Sequence, residues 1–221
     1  MQGVVRLAIA LGLVACGGSP PGTMPVDGPL PGSDGPVSNA GLTIPWTADP
    51  AIPGQVANDV SVTSMVFRVD SLRVVGDTGT SATLGNLELQ WTNGAMPSAA
   101  MFSDAPSGLY SKVAFHADGQ LVAYSWEIDG TAEVDGDTMP FAIHDMMALA
   151  ADVDYAGAML EPGGTAMLGV TFEMSQPFNG LDFSKLTNVG GTLVLDTNDS
   201  AMPDFRSKLM QAIGPTHGGN G

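Results

Sequence analysis

The fold class of this chain is decided by Ser64-Met65-Val66-Phe67-Arg68-Val69-Asp70-Ser71-Leu72-Arg73-Val74-Val75. Met65, Phe67 and Val69 alternate on odd residue numbers, and Leu72 and Val74 then alternate on even residue numbers. Alternation with a period of two is typical of a β-strand that buries one face. Because a change of parity needs one extra residue, we expect a β-bulge near Asp70-Ser71.

The same alternation recurs along most of the chain after residue 42. Gly, Asp, Asn and Pro separate the alternating segments about every ten residues, as they do in β-sandwiches. The further segments are 87–91, 109–116, 122–128, 139–143, 149–155, 166–174 and 193–195. The sequence therefore predicts an all-β domain over residues 42–214, built as a single antiparallel β-sandwich of about eight strands.

A short C-terminal helix is predicted at residues 203–213. Its apolar residues recur every four positions and are Phe205, Leu209 and Ile213. Asp199 or Ser200 lies near the expected N-cap, and Gly214-Pro215 should end the helix. We expect its apolar stripe to pack on the sandwich and residues 215–221 to form a flexible tail.

The amino terminus has the pattern of an export signal. A basic region ends at Arg6, and the apolar run 7–13 is too short to span a bilayer. The run leads into Leu13-Val14-Ala15-Cys16, which resembles the lipobox of bacterial lipoproteins. That resemblance implies removal of residues 1–15, diacylation of Cys16 and acylation of the new amino terminus. Because Gly17 rather than Asp follows, the resemblance favours the outer membrane.

Residues 16–41 are predicted to be the acylated Cys16 followed by a flexible tether. Thirteen of the 25 residues from 17 to 41 are Gly or Pro, and few are apolar enough to bury. An ordinary cleaved signal with a chance cysteine is the alternative interpretation. Cys16 is, however, the only cysteine in the chain, and it lies at the predicted cleavage site.

The charge of the chain restricts its partners. The formal net charge is −16, and removal of residues 1–15 takes away Arg6 and leaves −17. A surface of this sign repels nucleic acid and anionic lipid, so we expect membrane contact through the acyl chains on Cys16 alone. With one cysteine, the domain has no intramolecular disulfide and must be stabilised by its core.

Several short motifs resemble a family of bacterial lipoproteins that has a prealbumin-like β-sandwich domain and no assigned activity. The motifs are Phe67-Arg68-Val69, Ser107-Gly108-Leu109-Tyr110, Asp129-Gly130, Gly164-Thr165-Ala166-Met167-Leu168 and Phe172. The resemblance covers about residues 62–175, and the Ala-Pro-rich opening of the family is absent. It implies a β-sandwich fold and an extracytoplasmic location, and it brings no catalytic residues.

Calcium is the most specific metal hypothesis, because hard cations take oxygen ligands from acidic loops. The chain has three short acidic clusters, made of Asp135 and Asp137, of Asp152 and Asp154, and of Asp196, Asn198 and Asp199. The last cluster opens like an EF-hand loop but has Ala201 and Ser207 where Gly and Glu are required. Backbone hydrogen bonding in turns is the alternative role of these side chains.

Two further hypotheses concern a copper site made of histidine and methionine side chains and a ligand contact made by an aromatic ring. His144-Asp145-Met146-Met147 places an imidazole near two thioethers, ligands that suit cuprous ion, although Met more often fills a core. Tyr110 is out of phase with its apolar neighbours, so we expect it to be exposed and available to a ligand. Trp91 and Trp126 lie on apolar parities and are expected in the core.

The sequence thus predicts an outer-membrane lipoprotein, facing the periplasm or the cell surface, with a binding or structural β-sandwich module. Its ligand is not identified, and a protein or glycan partner stays open. The prediction includes no required cofactor, and one alternative is a calcium-binding module that uses the acidic loops. The other is a periplasmic hydrolase that uses paired carboxylates. Because the chain has neither a Gly-x-Ser-x-Gly nor a His-Glu-x-x-His motif, the sequence favours binding over catalysis.

Overall fold

The computed structural model describes residues 41–77, 79, 81–92, 97–119 and 124–216. These residues hold sixteen β-strands, one α-helix and two 3-10 helices. The strands are β1 (Gly41–Ile44), β2 (Trp46–Asp49), β3 (Gly54–Ala57), β4 (Val60–Gly76), β5 (Ser81–Leu84), β6 (Leu87–Thr92), β7 (Ala100–Phe102), β8 (Gly108–Ala117), β9 (Trp126–Val134), β10 (Asp137–Asp145), β11 (Leu149–Leu160), β12 (Thr165–Met167), β13 (Val170–Glu173), β14 (Thr187–Val189), β15 (Thr192–Leu195) and β16 (Ile213–Pro215). The α-helix is α1 (Met202–Gln211), and the 3-10 helices are Gln176–Phe178 and Phe183–Lys185.

The strands form three hydrogen-bonded sheets. The largest has ten strands in the order β11-β8-β4-β9-β10-β15-β14, and β3, β5 and β6 also pair with β4. The two smaller sheets have the orders β12-β1-β7 and β16-β13-β2. Most pairs are antiparallel, whereas β1 with β12, β2 with β13 and β10 with β15 are parallel.

Strand β4 is paired on both edges and organises the large sheet. Its first half pairs with β9 and its second half with β8, so that β8 and β9 follow one another along one edge. Strands β3, β6 and β5 occupy the opposite edge. The predicted bulge is confirmed, because Val69 pairs with Ala117 while Ser71 pairs with His116, which leaves Asp70 as the extra residue.

A second bulge in β4 lies at Thr63. Val62 pairs with Gly130 and Ser64 with Asp129, so Thr63 has no opposite residue on β9. Each bulge adds one residue and so shifts the alternation of the side chains, and together the two bulges bring all the buried apolar residues of β4 to one face. These residues are Val60, Val62, Met65, Phe67, Val69, Leu72 and Val74.

Two groups of aromatic rings cover this face. Trp46 of β2 and Phe172 of β13 pack on the large sheet, with the Phe172 ring centroid 5.3 Å from that of Phe67 and the Trp46 centroid 6.2 Å from that of Phe115. Phe205 of α1 stacks on Trp126 with the centroids 5.8 Å apart. The predicted core positions of Trp91 and Trp126 are confirmed, since both side chains are buried.

The predicted all-β class with one short helix is confirmed, but the strand count and pairing differ from the prediction. The described residues form sixteen strands instead of about eight, and the sheets are mixed rather than purely antiparallel. Seven of the added strands have three or four residues, too few to show alternation in sequence. They are β1, β2, β3, β5, β7, β14 and β16. The predicted strand 166–174 is interrupted at Leu168-Gly169 and becomes β12 and β13.

Helix α1 differs from its prediction at both ends. Its N-cap is Ala201, which makes no side-chain cap hydrogen bond, so the expected cap from Asp199 or Ser200 is not formed. Pro203 in the first turn fits the helix start, because the lost N–H would have no partner there. The helix ends at Gln211, and Ile213 pairs with Phe172 as part of β16.

Pro215 and Thr216, the first two residues of the predicted flexible tail, make backbone hydrogen-bonded contacts with the domain. Pro215 pairs with Val170, and the backbone N–H of Thr216 donates to the Gly169 carbonyl at 2.8 Å. The predicted signal peptide 1–15, Cys16, tether residues 17–40 and residues 217–221 lie outside the described residues. Over the described residues, no helix has the length and apolar character that crossing a bilayer requires.

Gly130 of β9 provides a test of this packing. A Cβ atom at Gly130 would collide with the backbone carbonyl oxygen of Ser61 and lie 2.5 Å from Cζ of Phe141. Because the Ser61 backbone belongs to β4, we expect Gly130→Ala to lower the free energy of unfolding by about 3 kcal/mol. Urea denaturation measures this change.

Gly214→Ala is the matched control for that substitution. A Cβ at Gly214 meets no atom within 4 Å, so this change should shift the free energy of unfolding by less than about 1 kcal/mol. Equal effects of the two substitutions would contradict the close approach of β4 to β9.

Candidate functional site

The first predicted acidic cluster forms the turn between β9 and β10. Val134 pairs with Asp137, which leaves Asp135 and Gly136 as a two-residue loop. Their φ angles of 54° and 90° fit a type I′ turn, for which Asp-Gly is a favoured sequence. Asp135 therefore has a structural role in the hairpin, and its side chain stays at the surface.

The second cluster, Asp152 and Asp154, lies on β11, the strand at one end of the strand order of the large sheet. Both carboxylates contact Nζ of Lys112 on β8, Asp152 at 2.9 Å and Asp154 at 3.6 Å. The hydrogen bond to Asp152, followed by the charges of both carboxylates, raises the pKa of Lys112 above its ordinary value. In this structure the two carboxylates of the cluster pair with one lysine.

The third cluster follows β15 and bonds to its own backbone. Oδ2 of Asp199 accepts the N–H of Asp196 at 2.7 Å, and Oδ1 of Asp196 accepts the N–H of Asn198 at 3.3 Å. These are the turn hydrogen bonds that Asp and Asn often supply. Over the described residues, no three His, Cys, Asp or Glu side chains are placed to hold one metal ion.

The prediction that Tyr110 is exposed is wrong. Tyr110 is fully buried, and its hydroxyl donates to the Pro106 carbonyl at 2.6 Å. The cause is a bulge in β8: Lys112 pairs with Val75 while Tyr110 pairs with Gly76, so Ser111 is extra. Because the bulge changes the parity of β8, Tyr110 joins the inward face and offers no ring to a ligand.

Two adjoining hollows bring acidic residues from distant parts of the chain together. One, of about 220 Å³, lies between the 3-10 helices and the start of α1. The other, of about 310 Å³, lies against the β3–β4 and β9–β10 turns. They share Leu181 and Asp182 in their linings. We call them together the acidic groove, whose acidic residues are Asp59, Glu133, Asp135, Asp182, Asp199 and Asp204.

The acidic groove combines parts of two predicted clusters, Asp135 of the first and Asp199 of the third. Sequence analysis missed Asp59, Glu133, Asp182 and Asp204, because they come from four separate segments that only the fold brings together. Asp59 has a φ of 63° at the turn into β4, an unusual conformation that Asp tolerates better than most residues.

Lysines compensate part of the negative charge of the groove. Oδ2 of Asp182 lies 2.9 Å from Nζ of Lys185, and Oδ2 of Asp204 lies 2.7 Å from Nζ of Lys208. The hydrogen bonds from Ser184 and then from Lys185 lower the pKa of Asp182 below its ordinary value. Asp182 is therefore ionised at neutral pH, and the groove carries negative charge.

These contacts bear on the hydrolase alternative. Paired-carboxylate catalysis requires one carboxyl group that stays protonated near neutral pH because its pKa is raised. In the smaller hollow, Asp182 has the opposite shift, and Asp199 and Asp204 each accept a hydrogen bond from a backbone or lysine donor. The arrangement can attract cations.

Sequence analysis also did not predict the buried carboxylate of Asp145. This side chain is 0% exposed at the end of β10, and its Oδ2 accepts a hydrogen bond from Nε of Arg206 on α1 at 2.6 Å. The signal was present, since Asp145 continues the inward parity of Phe141 and Ile143. A charged residue on an apolar parity needs a buried partner, which the helix supplies.

Comparison of the chain with protein-family models, with curated proteins and with solved structures found no match.

Proposed function

We propose that this protein is a lipid-anchored extracytoplasmic lipoprotein whose β domain binds a cationic ligand in the acidic groove. The lipobox that ends at Cys16 supports the anchor, and the Gly/Pro-rich segment after it supports a tether. Gly41, the last residue of the predicted tether, is the first residue of β1. Gly17 after the cysteine favours the outer membrane, with the domain facing the periplasm or the cell surface.

We further propose that the domain is a β-sandwich of the prealbumin-like kind. Its first layer is the ten-stranded sheet, and its second layer is made of the two three-stranded sheets with α1. The support is the single apolar face of β4 and the ring contacts of Phe67 with Phe172 and of Trp126 with Phe205 across that face. The motif resemblance over residues 62–175 agrees with this arrangement.

The acidic groove is the observation that carries the binding function. Six carboxylates and Lys185 line its two hollows, in a chain whose net charge is −16. Its carboxylates are spread along the two hollows and do not converge on one point. A ligand with positive charges distributed along its length, such as a lysine- or arginine-rich polypeptide segment, matches this spread better than a single ion.

Calcium binding is the second candidate function. The turn of Asp196, Asn198 and Asp199 borders the groove, and Asp182 and Asp204 line the same hollow as Asp199. A calcium ion takes six to eight oxygen ligands, so binding would require these side chains to leave their present hydrogen bonds. The candidate is therefore weaker than an extended cationic ligand.

The anchor is tested by the substitution Cys16→Ser in the complete chain. We expect the wild-type protein to sediment with membranes and to incorporate labelled palmitate. The variant should lose the label and appear in the soluble fraction, since the acyl chains are the proposed membrane contact. A Cys16→Ser variant that still partitions with membranes would refute acyl anchoring.

The groove is tested by titration with a fluorescent octalysine peptide. We expect binding that weakens as salt is raised, because exposed charges are screened within about 10 Å at 0.1 M ionic strength. The double variant Asp182→Asn/Asp204→Asn should bind about tenfold more weakly, because two exposed ion pairs are together worth about 1.4 kcal/mol.

The matched control is Asp152→Asn/Asp154→Asn, which removes the same charge from β11 outside the groove. It should leave peptide affinity within about twofold of wild type. Equal weakening by both double variants would show that peptide affinity depends on net charge alone and not on the groove. Calcium chloride is added in the same assay. Displacement of the peptide at a free calcium concentration that also raises the melting temperature would favour the calcium candidate instead.

A further inference from the structure

The small sheet β16-β13-β2 and the last residue of α1 enclose a separate hollow of about 370 Å³. Small-molecule sites have volumes of about 300–1,000 Å³, so this hollow has the size for a small ligand. None of its lining residues lines the acidic groove. We call it the threonine hollow, whose polar and glycine lining residues are Asp49, Thr171, Glu173, Gln211, Gly214 and Thr216.

Two carboxylates of like charge face each other across this hollow. Asp49 of β2 lies directly opposite Glu173 of β13 in the parallel register, and neighbouring strands are about 4.8 Å apart. Oε2 of Glu173 accepts a hydrogen bond from Nε2 of Gln176 at 2.7 Å. Among the described residues, neither Asp49 nor Glu173 has a lysine, arginine or histidine partner. A positively charged ligand between the two carboxylates would relieve their repulsion.

A chain of three hydroxyl groups leads into the same hollow. Oγ1 of Thr171 donates to Oγ1 of Thr216 at 2.8 Å and lies 2.8 Å from Oγ1 of Thr47. Because a hydroxyl has one proton, Thr171 must accept from Thr47 in the second contact. The Thr216 proton then has only a contact of 3.4 Å with Thr47. Thr216 ends the chain as a donor that a ligand hydroxyl can accept, and the preceding hydrogen bonds polarise it.

Gly214 keeps the floor of the hollow open. It pairs with Thr171 in the β13–β16 register, so a side chain at this position would point to the same face as Thr171. Its φ lies outside the left-handed region, and a Cβ atom there would meet no atom within 4 Å. Neither backbone conformation nor packing therefore requires glycine at this position. What the missing side chain provides is space beside the threonine hydroxyls.

We propose that the threonine hollow binds a hydroxylated primary amine of monosaccharide size, an amino sugar. The ammonium group is placed between Asp49 and Glu173, whose carboxylates accept hydrogen bonds and carry the opposite charge. The hydroxyl of Thr216 and the side-chain amide of Gln211 can both donate and accept, which suits the sugar hydroxyls. A hollow of this volume has room for a molecule rather than for a single metal ion. The site is distinct from the acidic groove and selects a small ligand instead of an extended one.

The test is isothermal titration calorimetry of the complete chain, purified in nonionic detergent, with glucosamine at about pH 6, where the amine is protonated. We expect saturable binding of one glucosamine per chain. N-acetylglucosamine keeps the sugar hydroxyls but has no positive charge, so it should bind at least about tenfold more weakly. Equal binding of the two sugars, or no saturable binding of glucosamine, would overturn the proposal.

Two variants locate the site. Asp49→Asn/Glu173→Gln removes both charges and should weaken glucosamine binding at least about tenfold. Gly214→Val fills the floor of the hollow and should weaken it to a similar extent, while thermal melting followed by circular dichroism verifies that this variant is folded.

The matched control is Asp182→Asn/Asp204→Asn, which removes the same charge from the acidic groove. It should leave glucosamine affinity within about twofold of wild type, because the two sites share no lining residue. Unchanged affinity in folded Gly214→Val or in Asp49→Asn/Glu173→Gln, or an equal loss in the control, would contradict the assignment. Calcium chloride that displaces glucosamine at equimolar concentration would identify a metal site instead.

Discussion

Strand β4 has 17 residues, and it keeps one apolar face only because β-bulges shift its side-chain alternation where the apolar pattern of the sequence changes parity. There are two such bulges, at Thr63 and at Asp70, where the partner strand has one residue fewer. Without the second bulge, Leu72 and Val74 would point to solvent while Phe67 stayed inside. Each of these large apolar side chains contributes about 1.5–3 kcal/mol when it is buried. The core, and every strand that pairs with β4, depends on these two extra residues.

The candidate sites are consequences of this frame. The acidic groove is lined by the turns before β4 and between β9 and β10, together with the 3-10 helices and the start of α1. The ion pair between Asp145 and Arg206 connects the end of β10 to α1. The turns and helices that carry the groove carboxylates are thus positioned by the strands to which they connect.

Long alternating segments made the all-β class, the bulge at Asp70 and the core position of Trp126 predictable from the sequence. Strands of three or four residues were not predictable, because so few residues show too little alternation. Strand β1 pairs with β12, more than 100 residues further along the chain, and β16 forms directly after the end of the helix. Tyr110 was misplaced because the bulge at Ser111 lies among polar residues that give no parity signal.

The candidate sites were predictable only in part, for a similar reason. Asp135 and Asp199 were recognised as acidic loop residues, but the other groove residues come from segments whose proximity depends on the complete topology. Asp152 and Asp154 looked equivalent to them in sequence. The structure separates them, because Lys112 lies opposite Asp154 in the β8–β11 register and binds both carboxylates.

The central claim is that β4 is the strand on which the rest of the domain depends, and native-state hydrogen exchange tests it most directly. We predict that the amides of β4 from Met65 to Val75 exchange only by global unfolding, with opening free energies equal to that of the whole domain. The amides of the short edge strand β14 should exchange through local opening at lower free energy. Exchange of the β4 amides through a sub-global opening, while β10 and β11 stay protected, would contradict this account.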